Sequence, residues 1–175
     1  MNATGSSDLA IGSHPLIGRT LVVTRAAAQA DGLVGALEAL GARVVRLPAI
    51  RVEPAVDQAP LRRAVQGASG YHWVIFTSAN GVRAFAHICA ERGLPVFAVG
   101  DRTATAAREA GFGAVRSAGG DVASLAELVA RSCTPAGGAL LHPAGSATAG
   151  DLSGRLGADD FVVARQVLYR ARPAT

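Results

Sequence analysis

The hydrophobic pattern of this chain alternates between two periods. Short apolar runs, typical of strands buried on both faces of a parallel sheet, are followed by stretches in which apolar residues recur every three or four positions, as in helices. The clearest case is the stretch 73–82, which reads WVIFTSANGV. Its four leading apolar residues are followed by a polar turn, and a helical pattern begins at Val82. The stretch therefore predicts a strand, a turn and a helix, in that order.

The same alternation runs through most of the chain. It predicts strands over 20–24, 42–47, 49–54, 73–76, 95–99, 114–116, 139–141 and, in two pieces, 161–163 and 166–169, and helices around 33–40, 61–65, 82–90, 104–110, 125–129 and 152–156. Strands that alternate with helices through short links predict an α/β fold with a parallel, flavodoxin-like sheet. Ligands of such sheets bind at the carboxyl ends of the strands, so we expect the binding surface along that edge.

Two features divide the chain. The segment up to His14 is polar and rich in Gly and Ser, without the basic and apolar regions of a secretory signal, and we predict a disordered tail over 1–17. Residues 18–47 then form one predicted βαβ unit. Pro48 separates this unit from another extended piece, which indicates that the chain leaves one sheet and enters a second at a domain boundary.

Composition favours a globular protein. Half of the residues are hydrophobic and 17% are charged, and no apolar run approaches the roughly 18 residues that cross a bilayer. Cys89 and Cys133 fall in helical patterns, and we expect buried thiols rather than a disulfide. A cytoplasmic location without membrane association is the resulting expectation.

The positive charge comes entirely from arginine. The formal net charge is +4, all 17 basic residues are arginines scattered along the chain, and only 5% of the residues are aromatic. This distribution gives weak support for nucleic-acid binding. Guanidinium groups bind carboxylates and phosphates in a bidentate way, so a small polyanionic ligand fits better.

Three polar turns at predicted strand ends could bind such an anion. They consist of Thr77, Ser78, Ala79 and Asn80; of Gly100, Asp101, Arg102 and Thr103; and of Gly145 and Ser146. Free N–H groups at a helix start, together with hydroxyl groups, favour an anion. Ser78 or Asn80 can cap its helix, as Asp121 can cap a later one. An ordinary capped turn is the alternative interpretation in each case, since no dinucleotide or phosphate-loop motif is present.

Two further side chains lie at predicted strand ends. His142 has no identifiable acidic partner, so we interpret it as a turn residue rather than a base. The phenol of Tyr169 could donate a proton, or Tyr169 could be a half-buried strand residue. The histidines and cysteines show no metal-ligand spacing, and no metal site is expected.

Taken together, these motifs resemble the uroporphyrinogen-III synthase family. The matching series is LVVTR ending at Arg25, LP ending at Pro48, WVIFTSANGV ending at Val82, FAVGDRTA ending at Ala104, EAGF ending at Phe112 and VLY ending at Tyr169. Each motif is short, but their order and spacing make the match specific. The resemblance implies two flavodoxin-like lobes joined by a two-stranded linker, the second lobe being inserted into the first. It makes 18–47 a βαβ fragment of lobe one, 48–166 a complete lobe two and 167–175 the linker back toward lobe one.

The resemblance also implies a lyase reaction of tetrapyrrole biosynthesis that needs no cofactor. The substrate would be hydroxymethylbilane, a linear tetrapyrrole with eight carboxylates. It closes with loss of water and inversion of ring D, through an azafulvene and a spiro intermediate, to give uroporphyrinogen III. Tyr169 falls on the family's linker tyrosine and is the best candidate to assist departure of the hydroxyl group. The candidate substrate contacts are Arg25, Thr77, Ser78, Ala79, Asn80, Gly100, Arg102, Thr103, Gly145 and Ser146.

The sequence departs from the family after the tyrosine. Family chains return to complete lobe one, whereas this sequence stops at Thr175. We therefore expect a truncated chain, in which the open strand edges of 18–47 favour self-association. The alternative expectation is an inactive flavodoxin-like module that binds a small anion or a partner protein.

Overall fold

A computed structural model describes residues 14–55, 59, 70–147 and 150–174. The chain divides into two compact units, one of Met1–Arg51 with Arg172–Thr175 and one of Val52–Ala171. The helix expected around 61–65 lies outside the described residues, as does most of the tail expected over 1–17.

The strands are β1 (Thr20–Val23), β2 (Arg43–Arg46), β3 (Ile50–Pro54), β4 (Tyr71–Phe76), β5 (Val96–Ala98), β6 (Val115–Ser117), β7 (Ala139–Gly145) and β8 (Val163–Pro173). The helices are α1 (Asp31–Ala39), α2 (Ala79–Ile88), α3 (Asp101–Glu109), α4 (Val122–Ser132) and α5 (Leu152–Ala158), with 3-10 turns at Ala27–Gln29 and Pro135–Gly137. The boundaries between the two units fall within β3 and β8.

The sheet of the larger unit confirms the predicted α/β class with a mostly parallel sheet. Its strand order is β3-β8-β7-β4-β5-β6, and the pairs β8–β7, β7–β4, β4–β5 and β5–β6 are parallel. The chain runs outward from β4 through β5 to β6, and it then starts again at β7 on the other side of β4. This reversal of strand order leaves a crevice at the carboxyl edge between β4 and β7.

Helices cover both faces of this sheet because alternate strand residues point to opposite sides. Phe76 at the end of β4 packs in one buried cluster with Phe85 of α2, with the two rings edge to face at 5.8 Å between centroids. Ile75, one residue earlier, packs in the other cluster with Leu125 of α4 and Leu156 of α5. The strand is thus buried on both faces, as its continuous apolar run predicts.

The smaller unit has a two-stranded parallel sheet covered by α1. Val23 and Val34 form its small buried core with Ala30. Gly41 takes a positive φ of 91° just after α1, as expected for a residue that ends a helix. Residues 14–17, which the sequence assigned to the tail, instead form a turn in which Leu16 N donates to the carbonyl of Leu40 at 3.0 Å.

Two strands end later than the sequence predicts. β7 continues through Pro143 to Gly145, so His142 is a buried strand residue and its interpretation as a turn residue is wrong. β8 runs on past Tyr169 to Pro173. Proline cannot donate a ladder hydrogen bond and so indicates a strand end in a sequence, but β7 pairs with a neighbouring strand on each side.

None of the helices within the described ranges is long and apolar enough to cross a membrane. Cys89 and Cys133 are free thiols, as expected, but they lie directly after α2 and α4 and are half-buried rather than buried.

Replacing Phe85 by alanine should lower the free energy of unfolding by about 3–5 kcal/mol, because the ring is fully buried and its removal leaves a cavity. Urea unfolding monitored through Trp73, which lies in the same unit, would measure this. Val162→Ala is the matched control, since Val162 is 63% exposed and should change stability by no more than about 0.5 kcal/mol. Equal effects of the two variants would contradict the prediction.

Candidate functional site

A cavity lies at the carboxyl edge of the sheet in the larger unit. Its volume is about 380 Å³, and it is lined by Thr77, Ser78, Val99, Gly120, Asp121, Val122, Gly145, Ala147 and Tyr169. Thr77 and Ser78 follow β4, whereas Gly145 ends β7. The cavity therefore lies at the reversal of strand order, which is where open α/β sheets bind ligands.

Two hydroxyl groups meet in the wall of this cavity. The Ser78 Oγ lies 2.7 Å from the phenolic oxygen of Tyr169, and either group can donate. Ser78 is also the N-cap of α2, as predicted, because its backbone is extended and its Oγ accepts the N–H of Gly81 at 3.1 Å. The cap fixes the position of the serine, so the phenol is held at a defined place on the sheet edge.

Two glycines allow the close packing behind this pair. A β-carbon on Gly145 would lie 2.8 Å from ring atoms of Tyr169. A β-carbon on Gly81 would lie 2.9 Å from the carbonyl oxygen of Pro143. A larger residue at either position would push the phenol or the start of α2 away from β7.

A buried histidine lies next to the cavity wall. His142 is 2% exposed, and its Nε2 lies 3.2 Å from the Thr77 Oγ1. Burial, and to a smaller extent the positive charge of Arg165, lowers the pKa of His142 to about 4. The imidazole is therefore neutral at pH 7, and it provides a hydrogen bond rather than a charge.

Arg165 supports the end of β7. Its Nη2 donates to the carbonyl of Gly145 at 2.6 Å and to that of Ser146 at 3.4 Å. Arg165 is also the register partner of His142 in the parallel β7–β8 pair, so the two side chains share one face of the sheet. This guanidinium therefore fixes the backbone that closes the cavity on the β7 side.

Asp121 brings a negative charge to the lining. Its Oδ1 accepts the N–H of Ser124 at 2.8 Å and caps α4, as predicted. The hydrogen bond from the Ser124 backbone, followed by that from its side chain, holds the pKa of Asp121 below its usual value. Among the described residues of the lining none is basic, so the cavity itself is not a cationic pocket.

Part of the predicted site comes together at this cavity. Thr77, Ser78, Gly145 and Tyr169 line it, and Ser146 is the exposed residue after Gly145. Their convergence follows from the parallel arrangement, because residues at the carboxyl ends of adjacent strands meet at one edge.

The other predicted contacts lie outside the lining, and they are Arg25, Ala79, Asn80, Gly100, Arg102 and Thr103. Thr103 is 5% exposed, so its side chain is buried, and its N–H donates to the carbonyl of Gly100 at 3.0 Å. Arg102 is exposed on the same turn, and Arg25 is exposed in the smaller unit. Their roles in binding stay predictions.

Sequence reasoning missed the turn before α4. Gly120, Asp121 and Val122 all line the cavity, and Gly120 N donates to the carbonyl of Val99 at 2.9 Å. The signal was available, since 118–121 also lies between a strand and a helix. An acidic residue there predicts a helix cap, however, and not a contact for an anion.

Within the part of the chain that the structure describes, no group of three or more His, Cys, Asp or Glu side chains could hold a metal ion.

The fold and the cavity together define a doubly wound α/β protein with a cavity at the carboxyl edge of its sheet. A family model described as "Uroporphyrinogen-III synthase HemD" matches residues 31–175. The chain therefore belongs to the uroporphyrinogen-III synthase family, as its motifs indicate.

Two curated relatives match parts of the chain. A uroporphyrinogen-III synthase of Synechococcus elongatus is 38% identical over 71 residues, which is 41% of this chain and 27% of that protein. A porphyrin biosynthesis protein HemD of Ruminiclostridium josui is 33% identical over 106 residues, which is 56% of this chain and 21% of that protein.

Two solved structures share the fold. In a mutant uroporphyrinogen III synthase of Thermus thermophilus, the match covers 89% of this chain and 64% of the synthase, with a TM-score of 0.61 and 20% identity. In the uroporphyrinogen-III synthetase of Helicobacter pylori, the match covers 90% of this chain and 63% of the synthetase, with a TM-score of 0.57 and 12% identity. The chain thus spans less than two thirds of the length of these relatives.

Acid should destabilise the protein through His142. Its pKa is lower in the folded state than the ordinary value of 6.5, so the unfolded chain binds more protons between pH 6.5 and about 4. Stability should therefore fall as the pH drops through this window, by up to about 3 kcal/mol at its lower end.

Urea unfolding at pH 7 and pH 5 would measure the effect of His142. In His142→Gln the free energy of unfolding should differ less between the two pH values than it does in the wild type. His87→Gln is the control, because His87 is exposed on α2 and should leave the difference unchanged. A wild-type pH dependence in His142→Gln would contradict the prediction.

Proposed function

We propose that this chain carries out the uroporphyrinogen-III synthase reaction, the closure of hydroxymethylbilane with inversion of ring D and loss of water. The observation that carries the proposal is the hydroxyl pair of Ser78 and Tyr169, 2.7 Å apart, in a cavity at the reversal of strand order. The reaction needs a positioned proton donor at the departing hydroxyl group and control of the shape of the bilane. A phenol hydrogen-bonded to Ser78, which is itself held in place as the N-cap of α2, could provide the first requirement.

The role of Tyr169 follows from the bond that breaks. The carbon–oxygen bond of the hydroxymethyl group breaks with its electron pair on oxygen, which takes the phenolic proton and leaves as water. The pyrrole nitrogen donates its lone pair to the carbon and forms the azafulvene-type cation. Ser78 stabilises the resulting phenolate by hydrogen bonding. Ring D later loses the hydrogen of its reacting carbon, and this proton balances the one that Tyr169 gave.

The charge of the lining indicates how the substrate would lie. The Asp121 carboxylate repels substrate carboxylates and favours a cationic ring. We therefore place the reacting ring inside, with at most one carboxylate near the hydroxyl-rich turn after β4. The remaining carboxylates would lie outside the cavity, and Arg102 is exposed at the start of α3. The roles of Arg25, Gly100 and Thr103 in binding stay predictions.

The proposed chemistry is proton transfer and conformational control, so we assign it no metal and no cofactor. We propose the cytoplasm as the location of the protein. The two-stranded sheet of β1 and β2 leaves strand edges that support self-association. The alternative is a module that binds a small anion or a partner protein at the same cavity without catalysis.

An isomer assay tests the proposed function. The 175-residue chain is given fresh hydroxymethylbilane, and the products are oxidised and separated as uroporphyrin I and uroporphyrin III. We expect isomer III above the background of a reaction without protein, in which the bilane closes to isomer I. The oligomeric state under assay conditions tests self-association. Isomer I alone from a chain that binds uroporphyrin would favour the binding module.

Tyr169→Phe should slow formation of isomer III about a hundredfold, because it removes the proton donor while keeping the ring. Tyr71→Phe is the matched control, since Tyr71 packs against the hydrophobic core outside the cavity lining. Steady-state rates with unchanged urea unfolding would separate catalysis from folding. Similar rates for the two variants would remove the role proposed for Tyr169.

A further inference from the structure

Two buried nitrogen atoms in the described part of the chain have no hydrogen-bond partner. They are Nδ1 of His142 and Nε of Arg165, and the mechanism above uses neither side chain. Both residues lie on the same face of the sheet, as register partners on β7 and β8. Thr77, which contacts the other ring nitrogen, follows β4 on the opposite side of β7. Arg165 and Thr77 therefore lie on opposite sides of the strand that carries His142.

This arrangement determines where the imidazole proton lies. A neutral imidazole has one proton, at Nδ1 or at Nε2. Because Nε2 is directed at Thr77 on the β4 side and the two ring nitrogens point apart, we infer that Nδ1 points toward the β8 side. Arg165 lies on that side, is positively charged and has only donors, so it disfavours a proton at Nδ1. A proton at Nε2 leaves the Nδ1 lone pair toward the guanidinium and provides a donor to the Thr77 Oγ1 at 3.2 Å. The Nε2–H tautomer is therefore favoured.

We propose that His142, held in its Nε2–H tautomer by Arg165, is a positioning residue that makes Thr77 a hydrogen-bond donor toward the cavity. When the Thr77 oxygen accepts from Nε2–H, its own proton is free to point to the cavity that Thr77 lines. The ligand group it would bind is an acceptor oxygen, for which the carboxylate of a tetrapyrrole is the chemical class. The choice of ligand rests on the proposed function.

Burial supports this arrangement at working pH. The burial that lowers the pKa of His142 to about 4, with help from the charge of Arg165, keeps the imidazole neutral at pH 7. A doubly protonated ring would donate from both nitrogens, and one donor would then be on the side of the guanidinium. The hydrogen bond to Thr77 therefore persists over the pH range in which the ring is neutral.

The tautomer is tested directly on the free 175-residue chain. Long-range proton–nitrogen NMR spectra, assigned through His142→Gln, should show Nε2 protonated and Nδ1 unprotonated at pH 7. Arg165→Met should shift the population toward Nδ1–H, whereas Arg131→Met, which removes an exposed guanidinium on α4, should not. Thr77→Val should shift the Nε2–H resonance because its acceptor is lost. A protonated Nδ1 in the wild type would overturn the inference.

The hydroxyl donor is tested by binding of uroporphyrin III, measured by fluorescence titration. Thr77→Val and His142→Met should each weaken binding about tenfold, as expected for one hydrogen bond to a charged group. The double variant should be no weaker than either single variant, since all three lose the same donor. Thr77→Ser and His142→Gln, which keep a hydroxyl group and an N–H, should restore most of the affinity.

The outcomes separate this inference from the proposed function. Wild-type affinity in Thr77→Val, in a chain that binds uroporphyrin III, would overturn the inference and leave the isomer assay unaffected. Failure of the wild type to bind uroporphyrin III would count against the proposed function. In that case the NMR spectra would still test the inference about His142. The tautomer, and the shift of the Nε2–H resonance in Thr77→Val, are measured on the free chain without a ligand.

Discussion

The pairing of β4 with β7 is the constraint on which the rest of this structure depends. The two strands are far apart in sequence, yet they lie side by side and parallel at the centre of the sheet. Both are covered on two faces by helices, so their burial stabilises the sheet and defines its register. The same pairing reverses the strand order and opens the edge where the cavity lies. Core and site are therefore consequences of one contact.

The site is rigid, and no basic side chain is present among the described residues that line it. Its hydroxyl pair is fixed on one side by the cap of α2 and on the other by contact of Tyr169 with Gly145. Its polar support is a neutral imidazole and an arginine whose Nη2 donates to backbone carbonyls. Such a site can orient a ligand through hydrogen bonds and its own shape.

Sequence reasoning predicted the α/β fold because its signals are local. The apolar run before Thr77 and the helical pattern after it follow from hydrogen bonds and burial within a short segment. Capping by Ser78 and Asp121 was predictable for the same reason, since each bonds to an amide three residues later. His142 was misinterpreted because the proline after it suggests a strand end, and only the neighbouring strands show otherwise.

The sequence by itself determined the alternation of strands and helices, the hydroxyl-rich turn after β4 and, through ordered motifs, the family. Only the tertiary structure decided which turns meet, because strand order depends on contacts between residues distant in the chain. It joined Ser78 to Tyr169, brought the acidic turn before α4 into the lining and left Thr103 buried. Local patterns specify each element, whereas the edge that those elements share arises only when the sheet assembles.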